Sequence, residues 1–592
     1  MIVRRRIGRR LGVAMVAVFA LVAVFVVRLV DIQVVQAESL TKAAQARQEF
    51  QSTVYGARGE IVDTNGVVLA SSVDRFDITA SPRIAKVDGY GFDRKQKDGS
   101  KKTISLEDSV SEIAAITGAD PQKMYQAIIT DPTSDFTYLV KEVPLAQYQK
   151  VKALHIPWVY AQLHPARSYP NGAVAANLIG LMGTDAPQAG VELSENACLA
   201  GSNGTQTYHA SANGVPIPGS TITTKPAVNG GKVTLTIDSD LQWFAQQTLT
   251  QQVQATGAQW GTVTVVRIRD GHIMADADYG SGDLNDITDS KQLRAGSFVA
   301  PYEPGSVMKP ATVAGLLQSG KITASTPVNV PSRFTDGLPP GFSITDSFYH
   351  GDLHLTAAGV IMDSSNIGIA ELTKLDTEAN RYANLAKFGF GQKTASGFYG
   401  EDPGLLKTPA QADSVTSITQ QFGQGMTATS AQVAQLYQTL GNDGVRMPLT
   451  LVEGCTRSDG TVVDTPSTQG TQVVSASTAR TVRDMMQTVY QEGPSSSFLK
   501  IPGYNIAAKT GTAQVADPAT GKYAKGQYIV SVAGLVPADK PLYAVVFTLA
   551  KPQGITSSVA AAPGWKTIMG QVIKAYRVPA STGVPSLPPV TW

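Results

Sequence analysis

At 592 residues the chain is too long for one hydrophobic core and requires two or three domains. A formal charge of +2 with 16% charged residues, and no basic stripe interleaved with aromatics beyond the N-terminus, excludes a nucleic-acid surface. Cys198 and Cys455 stand far apart and alone, which leaves no disulfide framework and no zinc cluster; unpaired thiols are expected in preference to a bridge between them.

Five arginines, at positions 4, 5, 6, 9 and 10, precede an uncharged run from Leu11 to Val27 that continues past Arg28 to Val30. About twenty helical residues rise roughly 30 Å, enough to cross a bilayer, and Arg28 can snorkel to the interface. A basic flank stays cytoplasmic, so residues 1–10 read as a cytoplasmic tail, 11–30 as a single-pass anchor, and everything from about Asp31 as extracytoplasmic. The competing reading, a signal peptide cleaved after Val35-Gln36-Ala37, has a poor cleavage site and too long an apolar region.

Tyr55 to Ala70 holds two short apolar runs joined by Asn65-Gly66, which predicts a hairpin with a type I′ turn. Helical spacing follows over Leu106–Ile116 and Gln122–Ile129, with Asp120-Pro121 as a start signal for the second. A stretch rich in Gly, Ser and Asn, from about Gly201 to Gly230, precedes an apolar-alternating strand at Thr234–Asp238, and a domain boundary is placed at 230. Asp240–Leu249 reads as a helix and Gly261–Arg267 as a strand ending at Asp270-Gly271. Ile506–Gln514, Tyr528–Leu535 and Leu542–Leu549 read as three further strands, and a helix is expected from Ser430 to about Leu440. The last stretch, 579–592, is rich in proline and serine and predicts a flexible, extended tail without a core of its own. The histidines are scattered, and His350 and His354 lack the glutamate that a zinc-protease motif places between them, so neither metal nor other cofactor is expected.

Chemistry concentrates in three motifs. Glu303-Pro304-Gly305-Ser306-Val307-Met308-Lys309 delivers a serine to the start of a helix with a lysine one turn on, where i and i+3 share a face. A serine hydroxyl is nearly inert until a base takes its proton, and a lysine serves as that base only when burial or neighbouring cations lower its pKa. Ser364-Ser365-Asn366 follows, and then Lys509-Thr510-Gly511-Thr512. Ser-x-x-Lys, Ser-x-Asn and Lys-Thr-Gly in this order are the signature of penicillin-binding proteins and serine β-lactamases.

The chain resembles a class B penicillin-binding protein of the division type. The resemblance runs from the anchor to about Pro579, through the Arg58-Gly59 to Gly66 box (with Thr64 where the family usually has arginine), Arg167-Ser168-Tyr169-Pro170, Gly190-Val191-Glu192, Phe388 to Gly391 and Gly423 to Thr427. It implies an α+β architecture: an elongated mixed pedestal over 31–230, then a transpeptidase domain over 231–578 whose antiparallel sheet is flanked by helices. Ser306 would be the nucleophile, Lys309 the base, Ser364 a proton relay, and Lys509 the cation that depresses the Lys309 pKa. Lys509 with Thr510 and Thr512 would hold a substrate carboxylate, Asn366 a peptide amide, and Gly511 would keep a side chain out of the substrate's path. The backbone N–H groups of Ser306 and Thr512 would form an oxyanion hole. The implied substrates are peptidoglycan stem peptides on the lipid-linked precursor polymer, and the implied inhibitors are β-lactams. The implied partners are a polytopic SEDS-type glycosyltransferase and other division proteins. A β-lactamase has no use for the long pedestal. A DD-carboxypeptidase and a β-lactam sensor or scaffold remain as alternative readings.

Overall fold

In the computed structural model, residues 2–39, 49–96, 98–183, 186–209, 219–517, 519–583, 585 and 587–592 are described. An apolar run without a partner sets the first element: Ile2–Val30 is one helix, continuing into a π-helical turn over Asp31–Val35. Arg10–Val35 is long and apolar enough to cross a membrane, and none of it is buried in protein. The basic stretch is, from Ile2 onward, part of this same helix and not a separate tail. Arg28 pairs with Asp31 at 2.6 Å.

The chain divides into two compact units, Met1–Ala57 with Gly201–Asn229, and Arg58–Ala200 with Gly230–Trp592. In the first, strands Glu49–Val54, Gly204–His209 and Ile222–Lys225 make an antiparallel three-stranded sheet. In the second, Lys232–Leu235 pairs in parallel with Ile61–Val62 and antiparallel with Val452–Thr456. Residue 230 is where the chain passes from the first unit back into the second, and within the second unit one sheet draws strands from before residue 200 and after residue 230. The same sheet continues through Val68–Ala80 to Thr137–Pro144 and Val159–Ser168.

The hairpin at Asn65-Gly66 forms, with Ile61 opposite Ala70, but its turn is not type I′. Type I′ needs positive φ at both central residues, and of the two only Gly66 has it, at 84°. The Asp63 carboxylate decides the matter by accepting the N–H groups of Asn65 and Val67, both at 2.8 Å. The two helices expected beyond it form as Leu106–Thr117, with a Ser105/Asp108 capping box, and Pro121–Ile129, capped by Asp120.

Cys198 and Cys455 are joined in a disulfide across a separation of 257 residues, against the expectation of free thiols. The reason is tertiary: Cys455 lies opposite Val233 in the mixed sheet, and Cys198 precedes the segment that leads into it. A Cβ on Gly231 would sit 2.8 Å from one sulfur and 2.9 Å from the other, so the bridge fills the space a side chain would need.

Antiparallel strands build the second sheet, numbered here β1 (Trp260–Arg267), β2 (Ile273–Asp278), β3 (Ala507–Ala516), β4 (Tyr523–Val536) and β5 (Tyr543–Ala550). Their order is β2-β1-β5-β4-β3, which leaves β3 at an edge. Val263, Val265, Val530, Val532, Val545 and Phe547 pack with residues of helices Ser239–Thr256 and Ala562–Ala575, among them Leu249 and Trp565. Each such fully buried side chain contributes about 1.5–3 kcal/mol. Every residue of helix Ser430–Gly441 is buried. Its glutamines act as spokes: Gln432 donates to the carbonyls of Gln392 and Pro403, Gln435 to Thr394 and Met447, and Gln438 to Ile268.

The described residues at the end of the chain are tied down, contrary to a flexible tail. Ser581 donates its N–H to Gly503, and the carbonyls of Pro589 and Val590 accept from the Thr356 hydroxyl and N–H. Thr591 bridges Leu355, and the Trp592 ring meets His354 edge-on at 5.1 Å. Proline-rich chain has no core of its own, but it borrows one by pairing with a strand whose edge is free.

Arg58 and Arg167 both grip the buried Glu192 carboxylate, each at 2.6 Å. Removing one member of a buried ion cluster strands the others without compensation, at about 3–5 kcal/mol. Glu192→Ala should therefore lower the melting temperature sharply in a thermal-unfolding measurement.

Candidate active site

Gly305–Met308 forms a single 3₁₀ turn that passes directly into helix α1 (Lys309–Gln318). Lys309 N–H donates back to the Ser306 carbonyl, the i+3 bond of a 3₁₀ turn that ties the two residues together. The turn is held from outside. Tyr437 of the buried helix donates its hydroxyl to the Val307 carbonyl at 2.9 Å, and Gly305 N–H donates to the Gly423 carbonyl at 3.0 Å.

Ser364 lies between helix α2 (Ala357–Met362) and helix α3 (Asn366–Thr373) in a left-handed conformation, φ 60°. A non-glycine residue there costs of order 1–3 kcal/mol and must be held by its surroundings. Two lysines hold it. Lys509 donates to the Ser364 hydroxyl at 2.7 Å and to the Thr510 carbonyl at 2.9 Å. Lys309 donates to the Ser364 carbonyl and lies 3.5 Å from the same hydroxyl. Ser306 is 8% exposed, while Lys309 and Lys509 are fully buried, so the serine keeps a little access to solvent and the two amines have none.

Burial pulls the Lys309 amine down to about 7, against the opposing charge of Asp346, which raises it. Burial and then the Lys309 charge push Lys509 well below its ordinary value. The expected direction of influence is thus altered: desolvation lowers Lys309, and the repulsion between the two amines falls on Lys509. Two amines flanking one hydroxyl titrate as a pair.

On β3, half-buried Thr510 and Thr512 alternate with the buried Lys509, Gly511 and Ala513. The absence of a side chain at Gly511 has a cause within the fold. A Cβ there would lie 2.9 Å from Val307 Cγ1 and 3.3 Å from Val307 N, so the glycine lets the strand rest on the serine turn. Asn366 donates to the Thr345 carbonyl at 3.2 Å, which leaves one N–H and its carbonyl oxygen for a ligand.

Asp346 was passed over in the sequence because a single aspartate in a loop carries no motif. Its carboxylate accepts from Asn366 N–H at 2.5 Å, Ile367 N–H at 3.0 Å, the Ser365 hydroxyl at 2.6 Å and His350 Nε2 at 3.2 Å. His350 thus belongs to this cluster, whereas His354 sits on Trp592. A separate cavity of about 610 Å³, lined by Val328, His354, Glu371 and Lys374, includes none of the three motifs.

Residues 261–570 match the penicillin binding protein transpeptidase domain, and residues 53–235 match the penicillin-binding protein dimerisation domain. The chain belongs to the penicillin-binding protein family. Penicillin-binding protein PbpB of Mycolicibacterium smegmatis is 32% identical over 587 residues, covering 95% of this chain and 90% of that protein. The peptidoglycan D,D-transpeptidase FtsI of Escherichia coli is 29% identical over 557 residues, covering 93% and 89%. The crystal structure of penicillin binding protein 3 from Mycobacterium tuberculosis, complexed with ampicillin, superposes with a TM-score of 0.69 at 27% identity and covers 91% of this chain and all of that one. The dimerisation match ends at residue 235 and so includes the strand Lys232–Leu235, which pairs with Val452–Thr456 inside the transpeptidase match.

Gly423 is the tightest backbone approach at the site. Its φ is 85°, and a Cβ would lie 2.3 Å from the Gly305 carbonyl oxygen. Gly423→Ala should cost about 2–4 kcal/mol through a left-handed alanine and a forced shift of the serine turn. Thermal unfolding of the variant checks it.

Proposed function

We propose that this protein is a peptidoglycan D,D-transpeptidase working from a single-pass membrane anchor. The observation that carries the reading is the convergence of Lys309 and Lys509 on the Ser364 hydroxyl, with the turn that bears Ser306 preceding Lys309 directly. A relative named for this activity, matched over most of its length, supports it.

Ser306 would attack the carbonyl between two terminal D-alanines. Its proton passes to the neutral Lys309 amine, and the departing D-alanine takes a proton back through Ser364, leaving an acyl ester on Ser306. The backbone N–H groups of Ser306 and Thr512 would bear the oxyanion, each such donor lowering the barrier by about 3 kcal/mol. Lys509, with one N–H to spare beyond Ser364 and Thr510, would face the substrate carboxylate together with the Thr510 and Thr512 hydroxyls. Asn366 would take an amide of the stem peptide with its remaining N–H and its oxygen. The amine of a neighbouring stem peptide then attacks the ester, restores the serine and closes the cross-link. A β-lactam that resembles the D-alanyl-D-alanine end would acylate the same serine and stall there.

The basic N-terminal stretch supports a cytoplasmic N-terminus with the catalytic domain outside. The exposed apolar helix offers a surface to a polytopic glycosyltransferase of the SEDS type and to other division proteins, the partners the family resemblance suggests.

Fluorescent penicillin should label the full-length protein, and Ser306→Ala should abolish the label. An unchanged adduct in that variant overturns the enzyme reading; release within minutes turns it toward a carboxypeptidase. The labelling rate should rise with pH through about 7, since Lys309 accepts a proton only after losing its own. Lys309→Arg, which stays protonated, should slow labelling by about 10²–10⁴-fold at every pH.

A further inference from the structure

We propose that Asp346 is the positioning residue of the second motif: from a separate loop its carboxylate clamps the start of α3, fixes Ser364 between the two lysines, and places a carboxylate charge near Lys309. The inference rests on the transpeptidase reading, since it assigns a task within that site.

The clamp is specific in its geometry. Asp346 is nearly inaccessible, with a side chain 1% exposed. One carboxylate oxygen takes the first two N–H groups of α3, from Asn366 and Ile367, and the other takes the Ser365 hydroxyl and His350 Nε2. The helix already has its local cap, because Ser365 Oγ accepts the Gly368 N–H at 2.8 Å. Asp346 therefore secures the donors the cap leaves free, at the residues immediately after the left-handed Ser364. A strained residue persists only when both flanks are held. Here α2 ends on one side, with Ser365 N–H donating to Val360 at 3.1 Å, and Asp346 grips the other.

Its charge matters because few others are present. The groups that face the lysine pair are Lys309 from α1, Lys509 from β3, Asp363 from the end of α2, and Asp346 with His350 from the loop before Leu353. Asp363 is half-buried, and burial together with the Asp346 charge raises it, which weakens it as a counter-ion. Asp346 is the anion that raises Lys309 against burial. Without it, the Lys309 amine would release its proton more readily, while the carboxylate that raises Lys509 is Asp363.

Two substitutions separate clamp from charge. Asp346→Asn keeps the shape: its carbonyl oxygen can still accept from Asn366 and Ile367, while Ser365 and His350 can turn to accept from its amide. Asp346→Ala removes both functions. The rate of labelling by fluorescent penicillin is followed from pH 5 to 10 on the full-length, detergent-solubilised protein, with melting temperature recorded alongside. For Asp346→Asn the rise of the rate should move to lower pH by about one unit, with the maximal rate within a few-fold of wild type. For Asp346→Ala the maximal rate should fall by about 10²-fold, as expected for a displaced catalytic group. An unmoved profile, or one displaced to higher pH, in Asp346→Asn overturns the charge role. A wild-type rate in Asp346→Ala overturns the clamp. Failure of the wild type itself to label would instead overturn the transpeptidase reading, so the two failures are told apart. Should Asp346→Ala not fold, the Asp346→Asn profile still decides the proposal: a displacement to lower pH supports it, and no displacement rejects it.

Discussion

Two lysine amines meet at one serine hydroxyl, deep enough that neither is in contact with solvent. Much else in the catalytic region answers the constraint this sets. Buried amines repel one another and resist charging, so the site can work only where their combined protonation is held by fixed carboxylates and their positions by rigid elements. The three motifs come from a 3₁₀ turn, a helix junction and an edge strand, none adjacent in sequence. Each is held by groups outside itself: Tyr437 and Gly423 on the serine turn, Asp346 on the helix junction, and β4 alongside the strand.

The stretch from Arg58 to Ala200 is bonded into the same framework. Its central sheet borrows Val452–Thr456 from within the transpeptidase sequence, and the Cys198–Cys455 bridge fastens the same strand. The buried Glu192 and its two arginines add a polar lock whose members are worth keeping only together. Residues 58–200 and 230–592 therefore share covalent and hydrogen-bonded links within one compact unit.

What could be read from the sequence was what repeats or what carries a motif. The apolar run, the alternating strands and the capped helices follow from local periodicity, and they appear where periodicity placed them, within a few residues. The helix begun at Asp240 runs on to Thr256, because its later polar residues do not forbid a helix that one apolar face already anchors. Features set by distant partners were not legible. Cys198 finds Cys455 only through strand pairing, Asp346 reaches α3 only through a loop, and Gly511 is small because of Val307. The turn at Asn65-Gly66 was misread because a neighbouring carboxylate, not the dipeptide, sets its geometry. The tail was misread because proline-rich composition speaks of missing cores and not of borrowed ones.

The glutamines of helix Ser430–Gly441 have a consequence of their own. They recur every third residue, and each closes a carbonyl on a different loop or strand end. An all-apolar helix of the same length could slide or rotate by a residue at modest cost, since hydrocarbon contacts are non-directional. Here any such slip would orphan several buried carbonyls at once, at about 1–3 kcal/mol apiece. The helix behaves as a keyed shaft, with one angular setting, and through Tyr437 that setting is passed to the turn bearing the nucleophile.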